Sequence, residues 1–166
     1  EQMKIAIIGT RGIPNHYGGF EQYAEQLSVF LAKKGWDVTV YSSSRHPYKE
    51  KLFKGVRIKR AYDPEYRIGT AGQFVYDCHC IWDTRKEAYD LIYQLGYTSS
   101  AIFGFLLPGR SVVVTNMDGM EWQRAKYSRP VRSFLKYSEQ LAVRRSDYLI
   151  ADALPVQDYL WSKYGV

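Results

Sequence analysis

Strand-like and helix-like segments alternate along the whole chain. Lys4-Ile5-Ala6-Ile7-Ile8 is a short apolar run ending in Gly9, the pattern of a buried strand. From Phe20 to Gly35 the residues Phe20, Tyr23, Ala24, Leu27, Phe30 and Leu31 recur at helical spacing. Lys33 and Lys34 suit the last turn of that helix and Gly35 stops it. Val38 to Tyr41 reads as the next strand, and Ser42-Ser43-Ser44 then opens a polar loop. Val56, Ile58 and Ala61 alternate with Arg57, Lys59 and Arg60, as in a half-exposed strand near a sheet edge. Ala71 to Tyr89 is expected to be a helix, with Phe74, Val75, Cys78, Ile81 and Trp82 on its apolar stripe.

The second half repeats the alternation. Leu91 to Gly96 predicts a strand, and Ser99 to Leu107 a short apolar helix closed by Pro108-Gly109. Ser111 to Thr115 predicts a buried strand around Val112-Val113-Val114. Pro130 to Arg145 predicts a long helix with proline at its start and two arginines at its end. Tyr148 to Ala151 reads as the last strand, and Pro155 starts a final helix ending near Lys163. The expected fold class is α/β: a Rossmann-like parallel sheet with helices on both faces, formed by residues 1–166 as a single domain. Such sheets bind ligands at the C-terminal ends of their strands. The loops after Ile8, Tyr41, Gly96, Thr115 and Ala151 are therefore the candidates for chemistry.

Composition adds limits. A chain of 166 residues buries roughly 70% of its unfolded surface and needs no disulfide or metal staple. The longest uncharged apolar run, Ala101 to Leu107, is too short to cross a bilayer. The chain enters a strand almost at once, so no secretory leader is expected. Cys78 and Cys80 are two apart on an expected helix, where they diverge, so that His79 and its neighbours read as packing and not as metal ligands. A reducing, cytoplasmic compartment fits this usage. The net charge of +6 and the aromatic share of 16% stand out. Excess positive charge suggests an anionic partner: nucleic acid, a phosphorylated ligand or an acidic membrane surface.

The loop from Gly9 to Glu21 holds four glycines, Gly9, Gly12, Gly18 and Gly19. Gly18-Gly19 stands at the helix start, where free N–H groups and the helix dipole favour a phosphate and a missing side chain lets it come close. The alternative is that these glycines only shape a turn. The dinucleotide fingerprint is absent, because two residues separate Gly9 from Gly12, Pro14 stands before the helix, and no acid ends the second strand. Nicotinamide is thus disfavoured. After the Val112 strand, Asp118-Gly119 places a short carboxylate where α/β folds carry active groups, with an Asx-turn or helix cap as the alternative. Glu121 and Arg124 are three apart and can simply pair. His16 lies in the first loop, where a lone histidine is commonly just solvated.

At these residues the chain resembles a known family. Gly18-Gly19-Phe20-Glu21, the following helix, and Trp36-Asp37-Val38-Thr39-Val40 look like the N-terminal domain of family-4 glycosyltransferases, which have the two-domain GT-B fold. Arg145 to Asp152 and Lys163-Tyr164-Gly165 resemble the end of that domain. Gly9 to Pro14 with Tyr17 to Glu21, and Asn116 to Trp122, resemble rhamnosyltransferase-like members that assemble capsular and exopolysaccharide units. The resemblance implies a retaining transferase with no metal and no cofactor beyond its nucleotide-diphosphate sugar donor. It implies Asp118 as the catalytic candidate, where many relatives carry histidine, and Gly18 and Gly19 near the donor diphosphate. Arg11, Asn15, His16, Tyr17, Glu121 and Arg124 become candidates for acceptor or phosphate contacts, with a surface ion pair as the alternative for Arg11. Ala153 departs from the serine usual in relatives, so that serine's task is lost here or passes to Asp152.

The nucleotide-binding half of such enzymes is a C-terminal domain expected to be missing here, so this chain is expected to be inactive alone. The other implied partner is a glycan or lipid-linked saccharide acceptor, and nucleic acid is not expected. Residues 119–145 carry seven basic groups and two acidic ones, interleaved with Trp122, Tyr127, Phe134 and Tyr137. That pattern suits an acidic membrane surface at the inner face of the plasma membrane, with a solvated helix face as the alternative. The charge surplus is thus expected to serve diphosphate groups in a cleft and an acidic bilayer beside it. A stand-alone, non-catalytic nucleotide- or phosphate-binding module is the competing reading.

Overall fold

A computed structural model describes residues 1–119, 123 and 126–166. Among these the strands are β1 (Lys4–Ile8), β2 (Asp37–Ser43), β3 (Leu52–Phe53), β4 (Val56–Ala61), β5 (Leu91–Leu95), β6 (Val112–Asn116) and β7 (Tyr148–Ile150). The helices are α1 (Gly19–Lys33), α2 (Glu65–Ile68), α3 (Ala71–Thr84), α4 (Arg129–Arg145) and α5 (Leu154–Tyr164), with a 3-10 helix over Ala101–Leu106. The strands form one sheet in the order β3-β4-β2-β1-β5-β6-β7. Every pair is parallel except β3–β4. Without β3 the order is that of the doubly wound Rossmann sheet.

The alternation within β1 explains the layers. Ile5 and Ile7 face one way and pack with Ala24 and Leu27 of α1. Ala6 and Ile8 face the other way and pack with Tyr76, Cys80 and Ile81 of α3. A third cluster joins Leu141 and Ala142 of α4 to Leu160 of α5, Met117 and Tyr97. Within it Glu139, 1% exposed, is satisfied by the Tyr159 and Tyr164 hydroxyls at 2.8 and 2.7 Å and by Lys163 at 3.3 Å. Among the described residues no helix is long and apolar enough to cross a membrane.

Several local expectations change. Ser42 and Ser43 belong to β2, paired with Arg60 and Ala61, and are buried; the serine run does not open a loop. The ladder satisfies their backbone and Ser43 donates its hydroxyl to Asp63 at 2.5 Å, while among the described residues the buried Ser42 hydroxyl has no hydrogen-bond partner. The expected helix to Tyr89 ends at Thr84, and its buried face is Gly72, Tyr76, Cys80, Ile81 and Thr84. Trp82 is 54% exposed, because the helix is rotated by what Tyr76 binds: its hydroxyl donates to Thr10 O at 2.7 Å. The run from Ser99 tightens into a 3-10 helix. The edge hairpin β3–β4 turns on Lys54 and Gly55, with φ of 47° and 85°, the two positive values that a tight two-residue hairpin asks for.

Candidate functional site

The strand order reverses between β1 and β5, so their crossovers run to opposite faces and a crevice opens at their C-terminal ends. Gly9 makes the turn out of β1 with φ of +88°, and a Cβ there would lie 2.4 Å from the Leu95 carbonyl oxygen. Only glycine lets the first loop pass this close to β5. The crevice measures about 280 Å³. Its walls are Thr10 and Arg11 from the β1 loop, Phe20 and Glu21 from α1, Asp63 and Glu65 after β4, and Gln73, Tyr76 and Asp77 of α3. Tyr97 to Ser100 after β5 and Asp118 after β6 complete it.

The first loop is held from within. Glu21, 8% exposed, accepts the Thr10 hydroxyl at 2.9 Å and the Arg11 N–H at 3.1 Å. Asn15 Oδ1 accepts the Tyr17 and Gly18 N–H groups at 3.1 and 3.2 Å, and its amide donates to Gln22 at 3.0 Å. The Gly18 N–H is thereby occupied, while a Cβ on Gly19 would meet nothing within 4 Å. Gly19 thus leaves open space in the first turn of α1, where N–H groups lack intrahelical acceptors. Arg11 reaches across to Glu65 at 2.8 Å and lies over the Tyr17 ring. Burial would lower the Arg11 pKa, but the Glu65 hydrogen bond and charge raise it. His16 is exposed and edges Tyr17. His46, 1% exposed, accepts the Tyr48 N–H on Nδ1 at 3.1 Å, so its Nε2 carries the proton and donates to Pro14 O at 2.9 Å. Burial lowers its pKa, and its role is to hold the loop.

Asp118 stands on the crevice rim in the left-handed region, with φ of 52°, a conformation aspartate tolerates better than most residues. Its N–H donates to Asn116 Oδ1 at 2.9 Å. The Asx contact in this turn is therefore made by Asn116, and among the described residues the Asp118 carboxylate has no hydrogen bond. Asn116, 1% exposed, also donates to Asp152 at 3.1 Å, fixing the turn to the end of β7. Glu121 and Arg124 lie outside the described residues.

The lining is acidic. Glu21, Asp63, Glu65, Asp77 and Asp118 face it, and Arg11 is the one cation among the described lining residues. Among the described residues the surplus positive charge is not in this lining, contrary to the expectation of a diphosphate-ready cleft. It lies on the outer side of α4, where Arg129, Lys136, Arg144 and Arg145 are exposed beside Val131 and Tyr137. Asp63, Glu65 and Asp77 are crevice residues that motif reading missed. Asp63 follows directly after β4, a loop that the strand-end rule would have flagged. Among the described residues no three His, Cys, Asp or Glu side chains are placed to hold a metal ion.

A family model, the domain of unknown function DUF1972, matches residues 2–166. The chain belongs to this family. No curated protein matches the DUF1972 chain. Among solved structures, the domain is similar to a crystal structure of a short-chain dehydrogenase/reductase from Burkholderia vietnamiensis, at 10% identity and a TM-score of 0.46. That match covers 98% of the DUF1972 chain and 92% of the reductase. The Rossmann-like assignment of the DUF1972 domain stands on its own strand order.

Proposed function

We propose that this DUF1972 domain is the N-terminal, acceptor-binding half of a retaining, nucleotide-sugar-dependent glycosyltransferase with a GT-B fold. The reading extends to a rhamnosyltransferase-like enzyme of capsular or exopolysaccharide synthesis, on the motifs around Gly18-Gly19 and Asp118. The observation that supports it most is the character of the crevice at the switch point. Carboxylates accept hydrogen bonds from hydroxyl groups, and the partly exposed Phe20 ring offers flat apolar surface for the C–H face of a sugar. Arg11, the one guanidinium among the described lining residues, is already paired with Glu65, so a diphosphate is poorly served there. A neutral polyhydroxylated acceptor suits this lining better than an anion does.

In this reading Asp118, on the rim, accepts a hydrogen bond from a hydroxyl at the reacting centre and orients it. The first turn of α1 at Gly19 faces the departing diphosphate, whose growing charge the helix N-terminus stabilises. A second, nucleotide-binding domain holds most of the donor. The basic outer side of α4 rests against an anionic bilayer when the acceptor is lipid-linked.

Ligand-observed NMR with methyl glycosides, and separately with UDP-glucose and dTDP-rhamnose, tests the assignment. Binding of a glycoside in preference to the nucleotide sugars supports the acceptor role. Tight nucleotide binding without any glycoside binding favours a phosphate-binding module instead. Sugar transfer by residues 1–166 alone would sink the two-domain reading.

A further inference from the structure

We propose that Asp77 is the specificity-determining residue of the crevice, its carboxylate accepting a hydrogen bond from one particular hydroxyl of the acceptor. This inference rests on the acceptor reading above and deepens it. Tyr76 is anchored through its hydroxyl to Thr10 O at 2.7 Å and Tyr41 O at 3.2 Å, which fixes its neighbour Asp77 on the crevice wall. Ser99, after β5, donates its hydroxyl to Asp77 Oδ2. That contact is the recognition in miniature: an alcohol already bound by this carboxylate. Among the described residues the other oxygen, Oδ1, has no hydrogen-bond partner. Asp77 is half-buried on the crevice wall, so that oxygen is reachable from the crevice and open to a ligand hydroxyl.

The surrounding charges sharpen the choice of ligand. The loop after β4 brings Asp63, α2 brings Glu65, α1 brings Glu21, and the β6 loop brings Asp118. Arg11 of the β1 loop is the opposing cation. The 3-10 helix packed against α3 brings no titratable side chain, and α3 itself contributes the buried Tyr76 and Cys80. Burial, with Asp63 adding to it, pushes the Asp77 carboxyl up to about 7 against the opposing Ser99 bond and Arg11. Anions are repelled from this position, and the ionised carboxylate accepts from a hydroxyl more strongly than its acid form does.

The test measures affinity for methyl glucoside, galactoside, mannoside and rhamnoside from pH 5.5 to 8.5, using wild type, Asp77→Asn and Ser99→Ala. The preferred glycoside should bind wild type more tightly as pH rises through about 7. Asp77→Asn should weaken binding at pH 8 about tenfold and flatten that rise. Ser99→Ala should move the rise to higher pH, because the lost hydroxyl favoured the charged form. A single deoxy position on the glycoside should cost wild type affinity and leave Asp77→Asn indifferent.

Stability supplies the control. Removing a desolvated charge should leave Asp77→Asn melting at or above wild type at pH 8. Lower melting at both pH 5 and pH 8 would make Asp77 a structural residue and overturn the proposal, as would wild-type-like binding and pH profile. Failure of wild type to bind any glycoside overturns the acceptor reading and this inference together, an outcome distinct from Asp77-independent binding. Should Asp77→Asn not fold, the Ser99→Ala profile decides, and an unshifted profile refutes the proposal.

Discussion

Two charge clusters occupy opposite ends of the same sheet and are wired in opposite ways. At the N-terminal ends of the strands, Glu87 accepts the Tyr89 hydroxyl at 2.6 Å, Lys59 at 2.9 Å and Arg57 at 3.2 Å. Arg57 also holds Asp37 at 3.2 Å, and Lys59 holds Asp83 at 3.3 Å. Anions and cations there are matched. At the C-terminal ends, the described crevice residues set five carboxylates against one guanidinium. Burial opposes charge in both clusters. It is overruled at Glu87, whose partners hold the carboxyl down at about 2, and it prevails at Asp77, raised to about 7. Matched charge stabilises; mismatched charge costs stability and is retained where a ligand completes it.

The largest expected effect breaks the crevice side. In a chain that carries this domain together with its nucleotide-binding half, Asp118→Asn should lower turnover about 100-fold, roughly 3 kcal/mol. Asparagine tolerates the same left-handed backbone, so the melting temperature should stay within about 1 °C of wild type. Unchanged turnover in a steady-state transfer assay would remove Asp118 from the site.

The matched cluster breaks differently. Glu87→Gln should cost about 2 kcal/mol at pH 7 and lower the melting temperature by about 4–8 °C, with glycoside binding intact. The sign follows from linkage. The Glu87 pKa is depressed in the fold, from 4.5 to about 2. Its contribution is complete above pH 4.5 and fades as pH falls towards 2. Asp77 is raised from 3.8 to about 7, so it acts the other way: stability is lost as pH climbs through that range. Melting curves from pH 2 to 8 should therefore leave the wild-type curve in opposite directions as pH rises, Glu87→Gln falling below it and Asp77→Asn rising above it. Parallel curves would erase the contrast.

How much of this could be read in advance depended on sequence distance. The parallel strands and long helices were legible because each is a local apolar rhythm, and Asp118 was legible because it follows a strand directly. Short elements were not: β3 and α2 are two and four residues long, below the length at which periodicity speaks. Ser43 looks like a loop residue because a polar side chain in a central strand depends on a distant partner, here Asp63. Asp77 was hidden in a helix whose stripe was read around Phe74 and Trp82. What turns α3 is a hydroxyl contact from Tyr76 to the β1 loop, 66 positions away. The crevice carboxylates converge from separate elements, and no spacing rule records that.

A smaller effect sharpens the crevice's boundary. A methyl at Gly19 meets nothing in this structure, so Gly19→Ala should leave stability unchanged or slightly improved. If the donor diphosphate approaches the α1 start, the same methyl should raise the KM for the nucleotide sugar about tenfold and spare acceptor affinity. Equal KM values would separate the diphosphate from this turn.

The smallest effect concerns the charge that neither cluster uses. The crevice is acidic although the chain carries +6, because the exposed arginines and lysines of α4 lie away from it. Arg145 stacks over Phe105, which is 66% exposed, so the basic side of the molecule is also an aromatic one. A basic group near an anionic leaflet contributes about 1 kcal/mol, or about fivefold in partitioning. Arg144→Gln should therefore reduce binding to phosphatidylglycerol-containing vesicles about fivefold at low salt and leave glycoside affinity untouched. Glycoside affinity that fell with vesicle binding would mean that the α4 charge reaches into the crevice, and the two regions would no longer be independent.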